Sequence, residues 1–588
     1  MCGIFGVRSS WLASRTLGAD LRIDAALASL TWRGRDSQRV TRLGDFVIGC
    51  ARLSISNQKS HQPVLRRGGR YAAVLNGAIT DARERWDALL PSLSSRHALP
   101  NDAWLAPLLV ARGDKKSLAN LRGHHALAVV DEEHGQLVLV RDRVGEKPLF
   151  ILREGGRVVA FASTTRALFA LGIDIELTQD STAEFFARGT TSTLRAVGPD
   201  LTVDDALAGV LSVATTGEHH APPQRATGKQ DLAAALLAAT VRCHDAEGLV
   251  ALALSGGLDS SCLAASLQQL GARVDGYQFC AEGEPDEERR VAALVASHCG
   301  HRLRPVDGGP ELLDALPQLT SDWGLPLGDP SVLALHALAK AAAQDGVRVL
   351  LSGEGSDEGL LGYARHRALA RVCWLRLVGL PAPRWSMRRG ARLWRAVAAQ
   401  DPFAELLAVT PPAFRHSVLA PSFAVAPPLS VVAVGSNRLE RARAIEQQVY
   451  LRRDLLPKLD VATMAAQIEG RCPFLDAEVL ATMTAIPAAT ALGKAPLRAA
   501  FRKLLPRDVL RAKKRGFGLP LDRWFRGPLP CLDVLRDVRT RERLHLRANG
   551  LDRAIDRHRS GRADLGHALY LVLAYEYHLR AKESLSCT

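Results

Sequence analysis

Short apolar runs separated by turn residues fill the first third of the chain. Runs at 46–49, 71–75, 126–130 and 137–140 are bounded by Gly, Asp and Asn, the punctuation of short strands. Helix-period stretches at 82–90 and 103–112 lie between them, which predicts two sheets with helices packed outside. The rhythm changes after a polar interval, 215–228 (TTGEHHAPPQRATG), which reads as a linker. Beyond it, apolar runs at 248–254, 273–279 and 347–351 alternate with helical patterns at 262–270, 287–299 and 332–344. That βαβ alternation predicts a parallel sheet with crossover helices. From about 361 onward the pattern is mostly helical, and the Pro/Ala/Val-rich interval 409–434 reads as loop-rich. The expectation is an α/β protein with a first domain over 1–210, a linker over 211–228 and a second domain over 229–588. No internal repeat interrupts it.

Length agrees, since 588 residues exceed what one core sustains. A hydrophobic content of 47% with 23% charged residues is ordinary for a soluble globular protein. Ten cysteines are scattered without a Cys-x-x-Cys pair, which argues against a zinc site or a disulfide framework and for a reducing cytoplasm. No apolar run approaches the roughly 20 residues of a membrane span, and no signal-peptide pattern opens the chain. A formal charge of +15 raises nucleic acid as a partner. Much of the excess is local, because 361–400 holds nine arginines and no acidic residue, and 501–526 is also basic. Neither stretch carries a nucleic-acid module, so no nucleic-acid partner is expected. The arginine-rich region is read as a solvated helical face, with docking of an acidic partner as the alternative.

The densest chemistry lies at Leu254-Ser255-Gly256-Gly257-Leu258-Asp259-Ser260-Ser261, between an apolar run and a helical one. A strand, a glycine turn and a helix N-terminus aim backbone N–H groups at an anion, and the serines add hydroxyl donors. Asp259 would repel phosphate unless a cation stood between them, so it implies Mg²⁺. No Gly-Lys-Ser/Thr follows, which excludes the Walker pattern. The stretch resembles the pyrophosphate loop of the ATP-pyrophosphatase superfamily, whose members activate a carboxylate or carbonyl by adenylation.

The chain opens Met1-Cys2-Gly3-Ile4-Phe5-Gly6. Removal of Met1 would give Cys2 a free α-amine within reach of its own thiol, which is how N-terminal nucleophiles are activated. Taken alone, Cys2 reads equally as a buried structural thiol. It is followed in order by Arg33-Gly34, Arg52-Leu53-Ser54-Ile55, Gln62-Pro63, Asn76-Gly77, Asp102 and Arg141-Asp142-Arg143-Val144-Gly145-Glu146-Lys147-Pro148-Leu149. This series resembles the class II glutamine amidotransferase domain of asparagine synthetase, an αββα N-terminal-nucleophile sandwich. The resemblance implies that Cys2 attacks the glutamine carboxamide, while Asn76 and the Gly77 N–H form the oxyanion hole. It gives Arg52 the glutamine α-carboxylate and Asp102 the α-ammonium. Ala78, Ala103-Trp104 and Trp32 with Arg35 depart from the usual Asn-Gly-Glu, Ser-Asp-Thr-Glu and His-Arg-Gly-Pro-Asp. The missing glutamate removes one contact to the glutamine ammonium.

The second half extends the resemblance with Gly328-Asp329-Pro330-Ser331, Leu351-Ser352-Gly353-Glu354-Gly355-Ser356-Asp357-Glu358, Lys458-Leu459-Asp460, Glu469-Gly470-Arg471 and Gly493-Lys494. Pro285-Asp286-Glu287-Glu288 and Lys514-Arg515-Gly516-Phe517-Gly518 belong to the same series. The implied fold is a doubly wound parallel-sheet ATP-pyrophosphatase domain with added helices. Asp259 and Asp357 suit Mg²⁺, and Lys494 suits the charge that grows on ATP phosphates. Glu354 stands where the family takes a proton from the attacking ammonia. Leu254, Ser255, Gly256, Gly257, Ser260, Cys280, Ser352 and Gly353 are expected around the nucleotide, while Asp460 and Arg471 are read as structural. The reading is a cytoplasmic, glutamine-dependent and ATP-driven amide synthetase. It would turn aspartate, glutamine and ATP into asparagine, glutamate, AMP and pyrophosphate through a carboxyl-adenylate and internally transferred ammonia. Its expected partners are small molecules (glutamine, ATP and the acceptor carboxylate), with a homodimer as a further expectation. The rivals are a specialised amide-forming enzyme, of the lasso-peptide cyclase, β-lactam synthetase or tailoring amidotransferase kind, and a catalytically silent binding protein of the same fold.

Overall fold

The structure is a computed structural model. It describes residues 2–586 except 56–60, 67, 90–100, 199, 206–208, 214–218, 221–230, 245–247, 284–286, 379–390, 430, 432–436, 513–517, 545 and 548. Most of the expected linker therefore lies outside the described residues, as do Pro285, Asp286 and 514–517 of the quoted series. Where the interval is described, strands Gly209–Val213 and His219–His220 extend the sheet of the first unit.

That first unit stacks an eight-stranded sheet on a six-stranded one. Strand alternation explains the stacking. In Tyr71–Ile79, Ala72 and Val74 point into the core between the sheets, where they meet Cys2, Ile4, Ile48 and Phe161. Ala73 and Leu75 point outward onto Trp86, Leu105 and Leu109 of the covering helices. The opposite face of Cys2–Arg8 puts Phe5 and Val7 against Leu12, Ile23 and Ala26. A strand apolar on both faces must lie inside such a sandwich, and the layers are αββα.

The second unit is built on a five-stranded, all-parallel sheet. Its order is Arg302–Gly308, Asp275–Ala281, Leu249–Ala253, Val347–Leu351, Glu469–Arg471. The strand order reverses beside Leu249–Ala253, so a crevice opens at the carboxyl ends of that strand and of Val347–Leu351. The periodicity did not announce the two outer strands. Arg302–Gly308 is a partly exposed edge carrying Pro305, and Glu469–Arg471 is a short buried strand made of charged residues and glycine.

In the C-terminal half one expectation gains detail and another needs correction. The interval 409–434 contains helices Pro412–Val418 and Pro421–Ala424. The arginine-rich region, of which 379–390 lies outside the described residues, is no simple solvated face where it is described. Arg365 forms a two-pronged ion pair with buried Glu446 at 2.5 and 2.7 Å, and Arg395 pairs with Glu405 at 2.6 Å. Arg376 and Arg392 donate to backbone carbonyls at helix ends. These arginines tie irregular backbone together. Among the described residues, no helix is long and apolar enough to cross a membrane.

Candidate active sites

Cys2 heads the first strand and faces Arg52 directly across an antiparallel pair. Both are buried, at 2% and 5% exposure. Asn76, on the stacked sheet, accepts a hydrogen bond through Oδ1 from the Cys2 backbone N at 3.1 Å. Among the described residues, its Nδ2 is buried without a partner. A buried, unsatisfied amide donor beside a thiol is costly unless a ligand oxygen uses it. Gly77 follows at φ +110°, and a Cβ there would lie 1.9 Å from the His124 carbonyl oxygen. Only glycine can turn the strand at this point.

Burial opposes ionisation of the Cys2 thiol, but a hydrogen bond from the neighbouring Cys50 thiol, the N-terminal ammonium and the Arg52 guanidinium together outweigh it. The result is a pKa of about 6. Cys50 is pushed well above its ordinary range by burial and by the Cys2 thiolate. The pH profile of glutamine hydrolysis, read as kcat/KM, should therefore rise through an apparent pKa near 6, and Cys50→Ala should move that limb upward. A profile still climbing through pH 8 in the wild type would contradict this.

Asp102 is half-buried, accepts from the Ile79 N–H at 3.1 Å and is raised to about 6 by desolvation. Gln62 escaped the sequence reading as a site residue. Its Oε1 accepts from the Leu75 N–H at 2.6 Å, and its Nε2 lies 3.8 Å from the Cys2 sulfur. Its place in the ordered series was the available signal.

The crevice of the second unit is a cavity of about 570 Å³. Leu254, Ser255, Gly256 and Gly257 line it from the loop before helix Leu258–Gln269, and Asp259 and Ser260 from the first turn of that helix. Ser352, Gly353, Glu354 and Asp357 line it from the end of the neighbouring strand. The loop is held open by its own serines. Ser255 Oγ accepts from the Gly257 N–H at 3.3 Å, and Ser261 Oγ donates to the Gly257 carbonyl at 2.7 Å. Gly256 takes φ +73°, where a Cβ would stand 2.7 Å from the Ala292 nitrogen. Cys280 is the exception among the expected nucleotide contacts. Tyr277 and Phe279 are the residues of its strand that line the cavity, and period-two alternation turns Cys280 to the other face.

Lys494 lies between the two carboxylates expected to hold metal. Its Nζ is 2.5 and 2.6 Å from the Asp259 oxygens and 2.6 Å from Asp357 Oδ1. All three side chains are buried, and Lys494 adopts φ +63°. A left-handed lysine costs about 1–3 kcal/mol of local strain, which is typical of functional positions. The neighbouring Gly362 must lack a side chain, since a Cβ would sit 2.0 Å from Asp357 Oδ1 and 2.1 Å from Lys494 Cε.

Glu354 pairs with Lys458 at 3.1 Å, and Lys458 also pairs with Asp329 at 3.3 Å. Lys458 is held well above its ordinary pKa because Glu354 and Asp329 outweigh burial. Glu358 is raised to about 8, chiefly by burial and then by Asp357 and Glu354. The Tyr363 hydroxyl donates to it at 2.5 Å and the Gly355 N–H at 2.9 Å. Lys458, Asp329 and Glu358 stand in the quoted motifs, but spacing alone does not bring 329, 358 and 458 to one wall.

A polar seam joins the units. Arg33 donates to the Cys2 carbonyl at 3.3 Å and grips Asp460 at 2.6 and 3.0 Å. His124 Nε2 lies 2.5 Å from Glu469, which also binds Arg471 at 3.2 Å, and Lys147 donates to the Gly470 carbonyl at 3.2 Å. Burial drives His124 to about 4, so it is neutral at pH 7 and donates from Nε2 to the carboxylate. Asp460 and Arg471 thus serve the seam.

The asparagine synthase family model matches residues 231–582, and the glutamine amidotransferase domain model matches residues 1–208. A putative asparagine synthetase (glutamine-hydrolyzing) of Mycobacterium tuberculosis H37Rv is 29% identical, with 98% of this chain and 96% of that one covered. Asparagine synthetase (glutamine-hydrolyzing) 1 of Bacillus subtilis is 25% identical over the same shares. Amidase chyE of Penicillium rubens is 23% identical, with 84% of each chain covered.

Proposed function

Because the chain belongs to the asparagine synthase family and is a glutamine-hydrolysing ligase, we propose that it makes asparagine from aspartate, using ammonia released at Cys2 and ATP bound in the parallel-sheet cavity. The Cys2 thiolate attacks the glutamine carboxamide, and the developing oxyanion takes the orphan Asn76 Nδ2 and the Gly77 N–H. Ammonia leaves, and water releases glutamate from the thioester. Arg52 and Asp102 hold the amino-acid end of glutamine.

In the cavity the acceptor carboxylate attacks the α-phosphorus of ATP and pyrophosphate departs. The Ser255–Ser260 loop cradles the phosphates, and Lys494 exchanges its carboxylate partners for phosphate oxygens. Ammonia then attacks the acyl-adenylate. Glu354 receives the surplus proton, and AMP leaves with its bonding electron pair. Two buried carboxylates now sharing one ammonium suit a divalent cation once Lys494 turns to phosphate. Asp259 and Asp357 would hold Mg²⁺, which would supply charge neutralisation at the leaving pyrophosphate.

The observation that carries this reading is the Asp259–Lys494–Asp357 bridge on the wall that also presents the glycine–serine loop and Glu354. Its test is pyrophosphate release with ATP and glutamine, with and without aspartate. Release should depend on aspartate and match asparagine formed. Glutamate production without aspartate-dependent release would sink the asparagine assignment and leave another carboxylate as acceptor.

A further inference from the structure

A second cavity, of about 290 Å³, lies where the two units meet and is walled by both. It adjoins the ATP cavity, because Asp329 and Lys458 line each of them. One turn before Lys458 in the same continuous helical run, Asp454 also lines this second cavity. Asp454 is 8% exposed, and among the described residues neither a hydrogen bond nor an ion pair engages its carboxylate. The nearby cation is already spent, since Lys458 bonds to Glu354 and Asp329. Arg365, a second cation whose charge reaches this group, is committed to Glu446, and Arg141 and Arg452, which with Arg453 also line this cavity, pair with Asp205. Three acids thus surround one ammonium, and the innermost carboxylate has no partner of its own.

A carboxylate buried in this way either takes up a proton or waits for a cation. Burial and the neighbouring Asp329 do push Asp454 well above its ordinary range, as expected of a site deprived of its counter-ion. A divalent metal is the weaker candidate, because no three ligating side chains converge here among the described residues. An organic ammonium needs less. It asks for one or two carboxylates and a tyrosine or water, and it tolerates Lys458 a few ångströms away when its own molecule carries a carboxylate for that lysine. A carboxylic acid bearing an ammonium satisfies both ends at once.

We propose that Asp454, assisted by Asp329, is the specificity-determining anchor for the ammonium group of an amino-acid acceptor, which lies across the seam between the two cavities with its reacting carboxylate toward ATP. The inference rests on the amide-synthesis reading and adds to it the end of the acceptor that does not react. It makes selectivity a matter of charge complementarity. A deaminated acceptor of the same skeleton would leave Asp454 unpaired and lose affinity.

The test uses the full chain and two matched pairs, aspartate with succinate and glutamate with glutarate. Binding is read from the rise in Tm and turnover from pyrophosphate release. The wild type should prefer an ammonium-bearing member over its deaminated partner by at least tenfold in half-saturating concentration. Asp454→Asn, which keeps the side-chain shape, should reduce that preference to about twofold. It should leave glutamine hydrolysis unchanged and kcat within about threefold. Equal use of both members by the wild type overturns the proposal, even if Asp454→Asn fails to fold. Preference that survives in the variant also overturns it, as does the absence of both Tm shift and turnover with all four acids. A Tm shift that depends on Asp454, without pyrophosphate release, supports the anchor while overturning the amide-synthesis reading.

Discussion

Cys2→Ala is expected to lose glutamine-driven amide formation by about 10³-fold or more while ammonia-driven formation continues near the wild-type rate. The size follows from removing a covalent nucleophile, which leaves only binding and oxyanion contributions. The selectivity follows from architecture. Cys2 belongs to the stacked sheets, whereas Asp259, Lys494 and Glu354 line the cavity of the parallel-sheet unit. Alanine fills less of the inter-sheet core than cysteine but leaves the backbone N–H donation to Asn76 possible. Parallel assays with glutamine and with ammonium chloride decide the matter. Loss of both activities would mean that Cys2 supports the second site structurally through Arg33 and Asp460. Loss of neither would remove Cys2 from the chemistry.

Lys494→Ala should have the other large effect, and it should appear in two measurements. ATP-dependent pyrophosphate release is expected to fall by about 10²–10³-fold, the usual size for removing a preorganised charge from a transition state. The fold should also weaken. Removing one partner of a buried ion pair leaves uncompensated charge and costs about 3–5 kcal/mol; here two carboxylates, Asp259 and Asp357, lose their common cation. Part of that cost is offset by relief of the left-handed backbone only if glycine replaces the lysine, so Lys494→Gly should be less destabilised than Lys494→Ala. Thermal unfolding with and without millimolar Mg²⁺ checks the account. A divalent ion between the orphaned carboxylates should recover much of the lost Tm in the variant and little in the wild type. Glutamine hydrolysis at Cys2 should persist in both variants. An unchanged Tm for Lys494→Ala would show that the bridge contributes nothing to stability.

The layers and most elements were legible because they rest on local rules. The continuous apolar run at 71–75 announces a strand buried on both faces, and the run at 287–299 matches helix Glu287–Cys299 to the residue. The glycine–serine loop was equally legible, since its residues are consecutive and a turn into a helix needs them together. Elements with mixed polarity were not. Glu469–Arg471 is a strand only because its neighbour Val347–Leu351 offers a free edge and because its buried Glu469 is paired with Arg471 and meets neutral His124 from the other unit. Cys280 was misplaced by a single residue's worth of phase, which in a strand reverses the face.

Sequence by itself determined the class of chemistry. A cysteine behind the initiator, an ordered series of polar residues and a phosphate-binding loop require only residue identity and short spacing. Tertiary structure decided how those groups are poised. Residues 235 positions apart, Asp259 and Lys494, become an ion pair, and Cys50 becomes the hydrogen-bond partner that lowers the Cys2 thiol. Lys458 is drawn into a double ion pair that leaves Asp454, among the described residues, buried without a partner at the meeting of two cavities. Electrostatic effects of this kind depend on distance and desolvation, which a linear chain does not contain until it folds.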